Sequence, residues 1–217
     1  MAMASKTDPK LSPRAARTRA ALIAAGFDLL VERPIDAIPI DDVVVRAGVA
    51  KGSFFNHFAD KHHFAEAIAF EVRMELEALV GRANMGIADP VERIAGGMRV
   101  GAHFALSQPK RSAVLLRGHG TSTLRAHPLN RGLVEDIEAA CAQGSLRPEA
   151  RESGVLYWLG LCQILMVNLV ERHLDRAEAD RRIDQMTKLG LIGLGIPEAR
   201  AAELSAKAPE LRDQADN

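Results

Sequence analysis

The chain has no excess of either charge: 28 lysines and arginines stand against 28 aspartates and glutamates in 217 residues. A protein-wide basic surface is therefore excluded, and any phosphate contact has to be local. Cysteine is scarce. Cys141 and Cys162 are the only two, their spacing fits no metal motif, and small buried thiols in a reducing compartment are the default reading. The N-terminus offers no apolar stretch of signal-peptide type, which points to a cytoplasmic protein. The longest apolar run, Gly154 to Val170, contains Gln163 and Asn168 and is flanked by Arg151, Glu152, Glu171 and Arg172. A buried helix accounts for it better than a membrane span, so no membrane partner is expected. Strand-like alternation, repeats and low-complexity tracts are all missing. What remains is an all-α chain, long enough to bury roughly 70% of its unfolded surface.

What is present starts with charge at one end. Residues 1–20 hold Lys6, Lys10, Arg14, Arg17 and Arg19 against Asp8 alone, and residues 1–12 read as a disordered basic arm. From Arg14 to Val31, Ala15, Leu22, Ile23, Ala25, Phe27, Leu29 and Leu30 follow helical spacing, with Pro13 suited to the first helical position. Pro34 ends that helix by disfavouring helical backbone at Arg33. Ile40 to Ala47 is a compact second helix with Asp41 and Asp42 in the turn where carboxylates suit the dipole. Gly48 then supplies the left-handed residue of a helix end, and a third helix runs from Lys51 to Phe58. Asp60 is placed to cap a fourth, which carries Phe64, Ile68, Val72, Leu76 and Val80 at intervals of four as far as about Gly81. Two short helices about a tight glycine turn form the helix-turn-helix pattern, whose second helix can enter a DNA major groove.

These patterns divide the chain into a helix-turn-helix domain over 13–80, including a connecting helix over 61–80, and a larger helical domain over 81–207. Residues 208–217 read as a frayed tail. Helices are expected over about 90–106, 107–117, 128–143, 147–174, 180–194 and 198–207. Within the helix-turn-helix, Lys51, Gly52 and Ser53 open the recognition helix, where free N–H groups attract phosphate oxygens. Asn56 can pair with adenine, worth ~1–3 kcal/mol of discrimination at a base edge. Phe54 either touches a thymine methyl or packs inward, and His57 offers a phosphate hydrogen bond. Arg14, Arg17 and Arg46 are further phosphate candidates, with Thr18 contributing a hydroxyl; such contacts set register without reading sequence. His57 and His62 lie five apart across a helix boundary with no thiol near, so no metal site is expected.

The run Gly52-Ser53-Phe54-Phe55-Asn56-His57-Phe58-Ala59-Asp60-Lys61, behind an N-terminal helix and ahead of an all-helical remainder, resembles the TetR family of transcriptional regulators. The resemblance implies a DNA-binding homodimer acting as a repressor on a palindromic site of double-stranded DNA, with Lys61 meeting the DNA backbone. It implies dimerisation through the helices at about 151–174 and 180–194, and no cofactor. Helices five to eight would then surround a pocket for a small apolar or aromatic ligand. Met98, His103, Phe104, Leu116, His119, Ile137, Trp158, Cys162, Gln163 and Met166 are its candidate lining. The pattern is not perfect: Phe55 stands where the family carries tyrosine, and Ala50 where a serine or threonine commonly caps the recognition helix, at a cost of ~1 kcal/mol. Those two departures leave a rival reading open, a dimeric scaffold or ligand-binding protein with weakened DNA binding. No nucleophile–base signature and no Glu-x-x-His pair occurs, so an enzyme is not expected.

Overall fold

The computed structural model describes residues 12–117, 123–172 and 174–207. Among the described residues there are ten α-helices, two short 3-10 turns and no strand. The chain divides into two compact units, Met1–Ile68 and Ala69–Asn217. The division falls inside a continuous helix, whereas the loosened sequence pattern suggested a boundary at residue 80. A connecting helix has no composition break at the point where its packing partners change.

In the first unit, α1 (Pro13–Glu32) begins at Ser12, whose hydroxyl accepts from the Ala15 N–H at 3.3 Å, with Pro13 in the first turn. Its buried face is Leu22, Ile23, Ala25, Gly26, Leu29 and Leu30. α2 (Ile40–Ala47) ends at Gly48, where φ is +66°. The Val49 N–H reaches back to the Val44 carbonyl at 3.0 Å and the Gly48 N–H to the Val45 carbonyl at 3.1 Å, closing the helix end that only a left-handed residue permits. α3 is short, Lys51–Phe55, with Asn56 as its C-cap. The expectation of a helix continuing to Phe58 is corrected by the rings. Phe54 lies 5.6 Å from Phe58 and 5.2 Å from Phe64, and Phe58 lies 4.8 Å from Phe64. Gathering the three into one core tightens the backbone after Phe55, and the His57 N–H bonds the Phe54 carbonyl. Asp60 then accepts from the His63 N–H at 2.8 Å, while His63 Nδ1 accepts from the Ala59 N–H at 3.3 Å. This reciprocal cap starts α4 (Lys61–Ala83), and the N–H of His63 holds the Asp60 carboxyl below its ordinary range.

In the second unit, α4 is followed by α5 (Pro90–Ser107), α6 (Pro109–Arg117), α7 (Arg131–Ala142), α8 (Ala150–Arg172), α9 (Arg176–Gly193) and α10 (Glu198–Ser205). The helix expected over 128–143 opens instead with a 3-10 turn, Pro128–Asn130. α9 starts four residues earlier than 180, because Asp175 accepts from the Glu178 N–H at 2.8 Å, a side-chain cap at Asp175 followed three residues later by Glu178. The central helix is α5. α5 packs against α6, α7, α8, α9 and α10, and its small residues Ala95, Gly96, Gly101, Ala102 and Ala105 are all buried. Arg99, also on α5 and buried, donates to the Leu204 carbonyl at 2.5 Å, placing a cation at the C-terminal end of α10, where the dipole favours it. Burial pulls the Arg99 pKa below its ordinary value. α8 is apolar enough and long enough to cross a membrane by length and composition alone. One face is packed through Gly154, Val155, Trp158, Leu159, Leu165, Met166 and Leu169.

Candidate nucleic-acid interface and an interior cavity

The helix-turn-helix separates its candidates into two groups. Phe54 is fully buried, so its alternative as a thymine contact is removed: it is the ring on which Phe55, Phe58 and Phe64 pack. Lys51, Gly52 and Asn56 are exposed, and Ser53 and His57 are partly so. Nothing lies within 4 Å of a Cβ built on Gly52, leaving that backbone open to close approach. α3 has only five residues, too few to sum a strong dipole, and Ala50 provides no side-chain cap. Two exposed apolar side chains join this surface, Val45 at 80% and Phe55 at 53%. Val45 was not among the candidates, and only its position beside the glycine turn hinted at it.

Two cations of the head, Lys51 and Arg46, are held by carboxylates. Lys51 Nζ lies 2.8 Å from Asp41, and Arg46 bridges Asp28 and Glu32 on α1, each at 3.6 Å. Lys61 Nζ donates to the Asp36 carbonyl at 3.0 Å. Arg14 and Arg17 are exposed on the first turns of α1, with Arg17 Nε donating to the Pro13 carbonyl and Thr18 partly covered. A phosphate meeting these side chains competes with partners already in place, each pair exposed and weak enough to exchange.

The second unit encloses a cavity of about 680 Å³. Leu116, Trp158, Cys162, Gln163 and Met166 line it, as their sequence positions suggested. Met98, Phe104 and Ile137 are buried but turned into the core of α5 and α7, and His103 is half-buried outside the lining. His119 lies outside the described residues. Burial pushes the Cys162 thiol up to about 12, so it is a neutral, unreactive wall.

The cavity is less apolar than its sequence candidates implied. Arg73, Glu77, Arg93, Glu135 and Asp136 also line it. Arg73 is 9% exposed; one amino nitrogen sits 2.6 Å from Glu77 and 3.2 Å from the buried Asn130 side-chain oxygen. Its Nε is buried without a hydrogen-bond partner. Arg93 is fully engaged, with Nε 2.7 Å from Asp136 and a terminal nitrogen shared between the Ile87 and Ala88 carbonyls. Burial raises the carboxyl pKa of both Glu77 and Asp136, against the pull of their arginines. The pair at Arg73 and Glu77 had a legible signal: two opposite charges four apart on a helix otherwise read as an apolar stripe.

Fold and head together define a class, an all-helical chain with an N-terminal helix-turn-helix DNA-binding domain. Residues 22–68 match the model of bacterial regulatory proteins of the tetR family, so the head is similar to the DNA-binding heads of that family. The HTH-type transcriptional regulator HbdR of Aromatoleum sp. (strain CIB) is 28% identical over 152 residues, 65% of this chain and 64% of that protein. Alignments to curated relatives span from 26% to 64% of those proteins. A Shewanella sp. PV-4 protein described as a tetR family transcription regulator has the same fold, with a TM-score of 0.70 at 16% identity, over 82% of this chain and 97% of that one. RolR in complex with the ligand resorcinol aligns at TM-score 0.61 and 19% identity, over 90% and 96% of the two chains.

Proposed function

We propose that the protein is a homodimeric, cytoplasmic transcriptional repressor that leaves a palindromic operator when a small molecule enters the cavity. The observation that carries this is the TetR-like head with Lys51, Gly52 and Asn56 exposed beside the sequestered Phe54. In this reading Asn56 reads a base edge, while Arg14, Arg17, Thr18, Arg46, Ser53, His57 and Lys61 hold phosphates. Dimerisation is supported by an apolar face that the second unit leaves open. Leu156, Gly160 and Ile164 recur at intervals of four on α8; Leu156 is 59% and Ile164 65% exposed, and Leu189 on α9 is 63% exposed. A self-complementary patch on two helices suits a twofold interface, and the twofold then sets half-sites about 34–36 Å apart.

Release follows from linkage. A ligand weakens DNA binding only by preferring the DNA-incompetent state, by ~1–3 kcal/mol for ordinary coupling. RolR, crystallised with resorcinol, supports an aromatic occupant for a cavity in this fold. α4 is the element through which occupancy acts, because the same helix contributes Arg73, Leu76, Glu77 and Val80 to the lining and Phe64 to the head core. The test is a gel-shift titration of the full chain on DNA from upstream of its own gene. A shift that weakens steeply with salt, two protomers per site, and release by a cavity-binding compound are the expected results. A Gly101→Phe variant, whose side chain fills the space beside Met166, should bind DNA but resist release. Salt-insensitive or absent binding by the native chain would instead support the scaffold reading.

A further inference from the structure

The chemistry of the cavity wall is specific enough to name a ligand class. We infer that the cavity takes a neutral molecule with a hydroxyl group on an apolar, ring-sized body, the hydroxyl lying between Arg73 and Glu77. This rests on the reading of the cavity as the sensor site.

Arg73 is the anchor. Its charge is already matched by Glu77 at 2.6 Å, and Asn130 takes another of its N–H groups. The buried Nε–H is left with no partner, and a buried donor calls for an acceptor. Glu77, one turn along α4, can accept but not donate while ionised. A hydroxyl satisfies both neighbours, accepting from Arg73 Nε and donating to the carboxylate. An ether or carbonyl answers Arg73 but sets a second bare acceptor against Glu77. A carboxylate fares worse, because the two guanidiniums of the lining are already matched by Glu77 and Asp136, and the third carboxylate, Glu135, is exposed and paired with Arg131. The second guanidinium cannot compensate: Arg93 is committed to Asp136 and to the Ile87 and Ala88 carbonyls. Elsewhere the wall is mostly apolar, with Leu115, Leu133, Trp158 and Met166, interrupted by the amides of Asn84 and Gln163. A volume of about 680 Å³ holds a one- or two-ring body and some substituents.

Three probes of equal ring size separate the possibilities by calorimetry on the full chain: 2-naphthol, 2-naphthoate and 2-methoxynaphthalene. The expected order is naphthol tighter than either of the others by about tenfold, the loss of one hydrogen bond to a charged group. Arg73→Met should bring naphthol down to the affinity of methoxynaphthalene. Because that change strips a buried ion pair and can unfold the unit, Glu77→Gln carries the test independently: it keeps the shape, removes one negative charge, and should narrow or reverse the preference for naphthol over naphthoate. Naphthoate binding as tightly as naphthol to the native protein, an unchanged preference in Glu77→Gln, or no binding by any probe would overturn the assignment. Operator release, measured in parallel, keeps the two readings apart. Naphthol that binds in the expected order without releasing DNA leaves the hydroxyl assignment standing and removes the sensor function. Naphthoate that binds preferentially and releases DNA does the reverse.

Discussion

Gly26→Ala tests the packing of the head most sharply. Gly26 is buried on α1, and a Cβ built there falls 2.5 Å from Phe64 Cε1 and 2.7 Å from Ile68 Cδ1, nearer still to Phe64 Cζ. Ordinary carbon contacts lie at about 3.5–4.0 Å, so the added methyl overlaps both side chains by about 1 Å. Phe64 has no room to yield, being 1% exposed and held between Phe54 and Phe58. Alanine recovers about 0.8–1.0 kcal/mol of helix propensity over glycine, while overpacking a core commonly costs about 1–3 kcal/mol. With two side chains struck, the upper part of that range applies, and the net expectation is a loss of about 1–2 kcal/mol. Urea unfolding followed by circular dichroism reads it as a lower midpoint at unchanged slope. Phe64→Leu in the same chain should recover part of the loss, making the double variant less damaged than the sum of the singles. Equal or greater stability of Gly26→Ala would refute the packing argument, because it would mean that Phe64 moves freely.

Ala50→Ser should stabilise the head by about 1 kcal/mol, since Ala50 has the extended backbone of an N-cap and no side chain to serve it; an unchanged urea midpoint would discount the missing cap. Asn56→Ala should flatten the difference in affinity between operator and scrambled DNA, and undiminished discrimination would take base reading away from Asn56. Lys61→Ala should weaken binding to all sequences alike and reduce the salt slope by about one, an unchanged slope striking Lys61 from the phosphate contacts. His103 is half-buried, and burial lowers its pKa despite the pull of Asp180. The unfolded chain therefore binds the proton more readily, so stability is lost as pH falls through the ordinary histidine range toward the folded value. Replacing it in His103→Gln should lessen the drop in urea midpoint between neutral pH and about pH 5, and an equal drop would remove His103 as its source.

How much of this was legible depended on whether the signal was local. Pro13, Gly48 and Asp60 each satisfy or release backbone groups within a few residues, so these caps and turns could be read directly. Asp175 could have been read in the same way. The candidate interface was legible for the same reason, since Lys51 to Lys61 is one continuous motif. The cavity was legible only in part. Trp158, Cys162, Gln163 and Met166 lie on one helix whose period can be followed, but Arg73, Arg93 and Asp136 come from three separate helices, and no local pattern relates them.

An all-helical chain, the glycine turn between α2 and α3, and the TetR-type motif were all written in the amino-acid order, because they follow from backbone chemistry and from residues close along the chain. That Phe54 is core, that α5 lies at the centre of the second unit, and that the cavity carries a buried Arg73 paired with a half-covered Glu77 came from tertiary packing. The physical reason is the same in each case. Whether a side chain is buried, and whether a charge finds its partner, is settled by neighbours distant in sequence, as with the 57 positions separating Arg73 from Asn130.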